Sequence, residues 1–184
     1  MAARHVTARR APHTQPPRLP ATAHPVLPAP HRLPLSTARP MPSAAEPHVL
    51  LRTVEWGDCD PAGIIYYPTY YRWMDAAGWH LLAALGFDAA RMRAEHLTQP
   101  LVHAACDFKR SPTFGDRVAI HSQVARVGEK SFTLAHRFVR EADGAELASG
   151  HEVRVWCRYE AGPGSPLRGI AVPDVLRAAA RATA

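Results

Sequence analysis

Between residues 131 and 138 the chain alternates strictly. Phe132, Leu134, His136 and Phe138 fall on one side, and Ser131, Thr133, Ala135 and Arg137 on the other. A period of two marks a half-buried strand. Similar β-compatible runs cover 100–109, 117–127, 131–141 and 146–159, and a first strand is predicted over 47–56 from Val49, Leu50, Leu51 and Val54. The run over 146–159 is long for one strand, and Gly150 suggests a bulge within it. From Pro68 the period changes. Tyr70, Trp73, Met74, Ala77, Leu81, Ala84 and Leu85 recur at helical spacing until Gly86 stops the helix. Pro68 suits a first helical turn. Short helices are predicted over 89–95 and 173–181, and 161–166 reads as a loop. Turn residues separate the strands at Phe114-Gly115-Asp116, Gly128-Glu129 and Ala142-Asp143-Gly144. A strand, one long helix with an aromatic stripe and four further strands make an α+β chain, with the helix laid across an antiparallel sheet.

Composition divides the 184 residues in two. Residues 1–47 hold eleven of the eighteen prolines. Six arginines there face the single acid Glu46, so this segment carries about +5 of the formal charge of +6. A segment so rich in proline and poor in apolar residues is expected to be a disordered tail, with 48–184 as the one domain. The basic balance belongs to the tail, which argues against nucleic acid as a partner. Arg9-Arg10 is followed by no apolar stretch, so the tail does not read as a secretory signal, and its eleven prolines would prevent the amphipathic helix of a transit peptide. Met41 is the expected true start. No apolar run has the about 18 residues needed to span a bilayer, so no membrane partner is expected. Cys59, Cys106 and Cys157 form neither a CxxC pair nor a zinc-spaced set, so no metal is expected and a reducing cytoplasm fits.

Candidate chemistry concentrates in the loop before the long helix, Gly57-Asp58-Cys59-Asp60-Pro61-Ala62-Gly63. A carboxylate beside a helix N-terminus can attack or activate water while free backbone N–H groups hold a developing oxyanion. An Asp before Pro is equally suited to an Asx turn, so residue type leaves Asp60 between a catalytic and a loop-stabilising role. Asp58 reads as a residue that positions the turn. Cys59 lies between two acids, which raise a thiol pKa, and has no base beside it. His80 on the helix and His103 on the second strand are the remaining candidate bases, and each reads first as a packed or interface histidine. Asp75 reads as a structural hydrogen-bonding group. Tyr70, Trp73, Met74 and Trp79 read as core.

The run Gly57-Asp58-Cys59-Asp60-Pro61-Ala62-Gly63-Ile64, followed by Tyr67-Pro68, Tyr70, Arg72-Trp73 and Asp75-Ala76-Ala77, resembles the catalytic segment of the 4-hydroxybenzoyl-CoA thioesterase family. A thinner similarity runs on to Val172 and leaves the tail out. The resemblance implies a hotdog fold, a central helix wrapped by a five-stranded antiparallel sheet. It implies hydrolysis of an acyl-CoA, aromatic (such as a hydroxybenzoyl-CoA) or short-chain, to the free acid and CoA, with no cofactor beyond CoA as part of the substrate. It puts the catalytic carboxylate on Asp60, as nucleophile or general base, and the oxyanion donor on the backbone N–H of Tyr67. Thiolate leaves readily, with an ordinary thiol pKa of roughly 8.5, so no strong general acid is required.

Lys130-Ser131-Phe132 and Leu167-Arg168-Gly169-Ile170 resemble the family's CoA contacts, which implies CoA-binding roles for Lys130, Ser131 and Arg168. Gly128-Glu129 departs from that pattern, because more basic residues are expected there. The stretch 87–99 is expected to help line the acyl pocket. The resemblance also implies a homodimer or homotetramer with shared sites, to which Gln99 and His103 are candidate contributors. A non-hydrolytic acyl-CoA-binding module on the same fold is the alternative from another class, and an enoyl-CoA hydratase is a third. The hydratase chemistry calls for an Asp–His pair, for which the sequence offers no convincing spacing.

Overall fold

A computed structural model describes residues 47–182, so the tail up to residue 46 and the expected start at Met41 lie outside the described residues. The elements are β1 (His48–Thr53), a 3-10 turn (Trp56–Asp58), α1 (Tyr67–Ala84), α2 (Ala89–Ala94), β2 (Leu97–Thr98), β3 (Leu101–Phe108), β4 (Arg117–Val127), β5 (Ser131–Arg140), β6 (Glu146–Val155), β7 (Cys157–Tyr159), β8 (Leu167–Gly169) and α3 (Asp174–Ala182). Five strands form one antiparallel sheet in the order β1-β4-β5-β6-β3, and β2-β7-β8 form a second. The α+β hotdog architecture is therefore present.

Helix α1 lies on the sheet through the stripe its sequence announces. Tyr70, Trp73, Met74 and Ala77 pack with Ile65, Val118, Ile120 and Phe138, and farther along Leu81 and Leu82 pack with Val124, Phe132, Leu134 and Trp156. The helix starts one residue earlier than its proline suggested, with Pro68 in the second position. Its end is a glycine stop. Gly86 takes φ +90°, and the N–H of Phe87 bonds back to the Leu82 carbonyl at 2.8 Å. The β5 alternation is as predicted, with Phe132, Leu134, His136 and Phe138 all buried.

Two expectations about the last long run are corrected. It is two strands: Trp156 leaves the main sheet, donates its N–H to Lys130 O (2.7 Å) and accepts from Ile170 N (2.8 Å). Its ring then packs edge-on to Phe87 at 4.9 Å. Nor does Gly150 mark a bulge, because it pairs regularly with Cys106 on one side and His136 on the other. The extra residues are Val102, Ala125 and Leu147, where the registers shift. Gly150 is required by close approach. A Cβ there would sit 2.5 Å from Met74 Sδ and 2.9 Å from the Ala105 carbonyl oxygen. Met74 has rotamers to yield into, but the ladder carbonyl does not. Gly150→Ala is expected to cost about 1–3 kcal/mol as an overpacked core site, read as a lowered denaturant midpoint. An unchanged midpoint would refute the close approach.

Candidate active site

The loop between β1 and α1 is held at both ends before its chemistry begins. The Val54 N–H bonds to Asp116 O, and the Gly115 N–H returns to Val54 O, each at 2.9 Å. In the 3-10 turn the Asp58 carboxylate accepts from the Glu55 N–H at 3.1 Å, one half of a capping box. Its other oxygen takes Arg72 Nη2 of α1 at 3.0 Å, and its carbonyl accepts the Tyr66 N–H at 2.8 Å. Asp58 is therefore the tie between loop and helix, the positioning role read for it from sequence. The Cys59 thiol points to Glu55 O at 3.7 Å.

Asp60 sits at the head of the next turn. Its N–H bonds to Ile64 O and its carbonyl accepts from the Gly63 N–H, both at 2.9 Å, with Gly63 at φ +76°. A side chain other than glycine's would be strained there. Isolated bridges pin the exit of the turn, Cys59 to Ile65 and Ile64 to Thr113. The Asp60 Oδ1 accepts the Ala62 N–H at 2.8 Å, an Asx turn, and Oδ2 takes no hydrogen bond from any described residue. The two readings open from sequence are thus compatible, because the Asx turn orients the carboxylate and leaves one oxygen open on a half-buried surface.

Immediately beyond lies the N-terminus of α1. Its first N–H groups have no intrahelical partner. Pro68 has no N–H, and that of Thr69 bonds back to Tyr66 O at 2.8 Å. The Tyr67 N–H is the donor left uncommitted in this turn, at the positive end of an 18-residue helix. An orientable carboxylate and an uncommitted helix N–H joined by a pinned turn can attack or activate water at a carbonyl and hold the oxygen that becomes negative.

The other candidates separate from this turn. His80 is exposed, its ring 6.4 Å from that of His48, and His103 is exposed with its ring 5.2 Å from His151. Neither bonds to Asp60 among the described residues. Burial first, then Asp107, pushes the Cys106 thiol up to about 11, and burial also raises Cys157, so both remain protonated at neutral pH. Among the described residues no group of three or more His, Cys, Asp or Glu is placed to hold a metal. No helix there is long and apolar enough to cross a membrane. The stretch 87–99 does line a cavity, of about 450 Å³, with Trp79, Met92, Leu97 and Tyr159. Trp79 lies roughly 18 Å along α1 from Tyr67 at 1.5 Å per residue. Within one chain this cavity is therefore at the opposite end of the helix from Asp60.

Lys130, far from Gly169 in sequence, is brought beside it on the strand that carries Arg168. A Cβ on Gly169 would lie 3.6 Å from Lys130 Cδ. Ser131 is half-buried and its carbonyl closes the β4–β5 hairpin by accepting the Gly128 N–H at 2.7 Å. Arg168 faces Arg158 in register across β7 and β8.

Sequence reasoning did not find the buried polar network beneath α1. Ser122 Oγ lies 2.8 Å from His136 Nδ1, and His136 Nε2 lies 3.5 Å from Glu152 Oε2. Arg154 donates to Glu152 Oε2 through Nε (3.1 Å) and Nη2 (2.9 Å), and through Nη2 to Asp75 Oδ1 on α1 (2.7 Å). Asp75 has the structural role expected of it. Gln99, a candidate site contributor, is buried; its carbonyl accepts from Arg154 Nη1 at 3.4 Å, and its Oε1 has no partner among the described residues. The available signal was Glu152 and Arg154 at alternate positions of one strand, which places both on one face.

The chain belongs to the thioesterase-like superfamily, which it matches over residues 54–180, and its class is that of the acyl-CoA thioesterases. It is 30% identical over 126 residues to 4-hydroxybenzoyl-CoA thioesterase of Pseudomonas sp. (strain CBS-3), covering 65% of this chain and 87% of that protein. It is 29% identical over 135 residues to 1,4-dihydroxy-2-naphthoyl-CoA hydrolase of Synechococcus sp. (strain WH7803), covering 69% and 84%. Among solved structures, gentisyl-coenzyme A thioesterase superposes with a TM-score of 0.62 at 38% identity, covering 71% of this chain and 99% of that one.

Proposed function

We propose that this enzyme hydrolyses a hydroxylated aryl-CoA to the aryl acid and CoA, with Asp60 as its catalytic carboxylate. The observation that carries the assignment is the Asp60 side chain, oriented by the Ala62 N–H through one oxygen and open at the other, in a turn leading into the uncommitted Tyr67 N–H. Asp60 either attacks the thioester carbonyl, expelling CoA thiolate and leaving an anhydride for water to open, or takes a proton from the water that attacks. In both routes the Tyr67 N–H holds the oxyanion, and the products are one acid and one thiol. The chemistry uses no metal and no redox cofactor, because the thiolate leaves unaided. Lys130, Ser131 and Arg168 hold the CoA nucleotide. The aryl preference is supported by the three relatives, whose names specify hydroxybenzoyl, dihydroxynaphthoyl and gentisyl thioesters. Three free cysteines suit a reducing, cytoplasmic setting.

Thiol release from a panel of acyl-CoAs tests this reading, with the absorbance of an enoyl-CoA followed in parallel. Release is expected to be fastest with hydroxylated aryl-CoAs. Tight binding without release would identify a binding module, and loss of the enoyl chromophore a hydratase.

We also propose that the active form is a dimer or larger. Strand β3 ends the five-stranded sheet and exposes Leu101, Val102 and Phe108, and an unpaired apolar edge invites pairing. Joining two such edges is a symmetric solution, and it carries Gln99 and His103 toward the partner's site. Sedimentation of the active enzyme is expected to show a dimer or tetramer. An active monomer would overturn the shared site.

A further inference from the structure

Three arginines gather where sequence put no phosphate contact. Arg126 lies on β4 directly after the bulge at Ala125, the kind of irregularity that re-aims a side chain. Arg177 and Arg181 stand one turn apart on α3, and so share a face. Together with Ala125, Val127 and Ala180 they line a cavity of about 270 Å³, and no carboxylate lines it. Among the described residues neither Arg126 nor Arg181 has an ion-pair partner. The one ion-pair partner of Arg177 among the described residues is Asp174, at 3.9 Å and fully exposed. Like charges one turn apart on a helix repel. Three guanidinium groups around one small cavity therefore favour an anion, and their planar forks match phosphate oxygens.

The cavity adjoins the other basic residues. Arg177 Nη2 donates to the Glu129 carbonyl at 3.3 Å, the same carbonyl that accepts the Val172 N–H at 2.9 Å. The next residue is Lys130, beside Gly169 of the strand that carries Arg168. One carbonyl thus links the two basic groups, and a ligand carrying several phosphates can engage both. We propose that Arg126, Arg177 and Arg181 form a second phosphate grip for the nucleotide of the acyl-CoA, supplying from β4 and α3 the charge that Gly128-Glu129 lacks. This rests on the acyl-CoA hydrolase reading.

The test uses the full chain with Arg126→Gln, Arg177→Gln and Arg181→Gln. Arg177 also supports the hairpin carbonyl, so the exposed Arg181 gives the cleaner variant. Each loss of a charge-assisted phosphate contact is expected to raise KM for the acyl-CoA about tenfold, while KM for the matching S-acyl-pantetheine, which has no phosphate, moves less than about twofold. Millimolar inorganic phosphate should raise KM for acyl-CoA in the parent enzyme and much less in the variants. Equal shifts on both substrates, or none, would overturn the grip. So would inorganic phosphate binding that the variants lose while KM for acyl-CoA stays put, since the cavity would then hold a free anion. If no thioester is hydrolysed, calorimetry with CoA itself still decides: weaker binding by the variants supports the grip, and equal binding overturns it.

Discussion

Asp60→Asn is expected to lower turnover by about 10²–10⁴, the range for losing a positioned proton-transfer group, or by more if Asp60 forms the anhydride. Asparagine keeps the acceptor that holds the Asx turn through the Ala62 N–H, so the turn and its bridges persist and the protein folds. What is lost is a negative oxygen able to attack a carbonyl or take a proton. KM should change little, because the nucleotide contacts are untouched. Asp58→Asn should rank the other way. Its carboxylate meets Arg72 and the Glu55 N–H, so the exposed ion pair weakens by less than about 1 kcal/mol, and turnover falls less than for Asp60. Turnover near the parent's from a folded Asp60→Asn enzyme would remove Asp60 from the mechanism. A larger loss from Asp58→Asn would transfer the role to it.

The parts of this molecule legible in sequence are those governed by local periodicity. Helix α1 carries its aromatic stripe at helical spacing, and β5 alternates without exception, because each faces one core on one side only. The Asp60–Gly63 turn was legible for a different reason: its residues bond to neighbours a few positions away, so their types report their partners.

What escaped the sequence depends on contacts across the sheet. In β6 the charged residues Glu152 and Arg154 are buried, and the apolar Val153 and Val155 between and after them are only half-buried. The register shift at Leu147 resets which residues face inward, and β4, β5 and α1 provide the partners that make the charges tolerable. The same limit explains Gly150, whose lack of a side chain answers Met74 on α1 rather than a local bulge. It also explains β8, which is short and exposed and pairs only with a strand whose start is set by Trp156.

Arg154→Met should destabilise the fold by about 3–5 kcal/mol at neutral pH, the cost of leaving one member of a buried ion pair alone. The Glu152 side chain is 2% exposed and that of Arg154 4%, so water screens neither. Asp75, 55% exposed, loses little when its partner goes. The dependence on pH gives the test its sign. Burial raises the Glu152 carboxyl pKa, but the His136 ring and the Arg154 guanidinium outweigh burial and hold it below its ordinary value of 4.5. A group whose pKa is lower folded than unfolded contributes stability above the unfolded value, and loses it as pH falls through the folded one. In the parent protein that contribution is therefore complete at pH 7 and declines in acid. Without Arg154 the burial effect should prevail and the carboxyl should fold protonated, so the variant's deficit is greatest at pH 7 and shrinks toward pH 4. Denaturant unfolding of both proteins at the two pH values measures the gap. The double variant Glu152→Leu/Arg154→Met leaves no charge stranded and should recover much of the loss. A gap that is constant with pH, or a double variant worse than Arg154→Met alone, would show that Arg154 contributes through packing rather than as the counter-charge that makes a buried glutamate tolerable beneath α1.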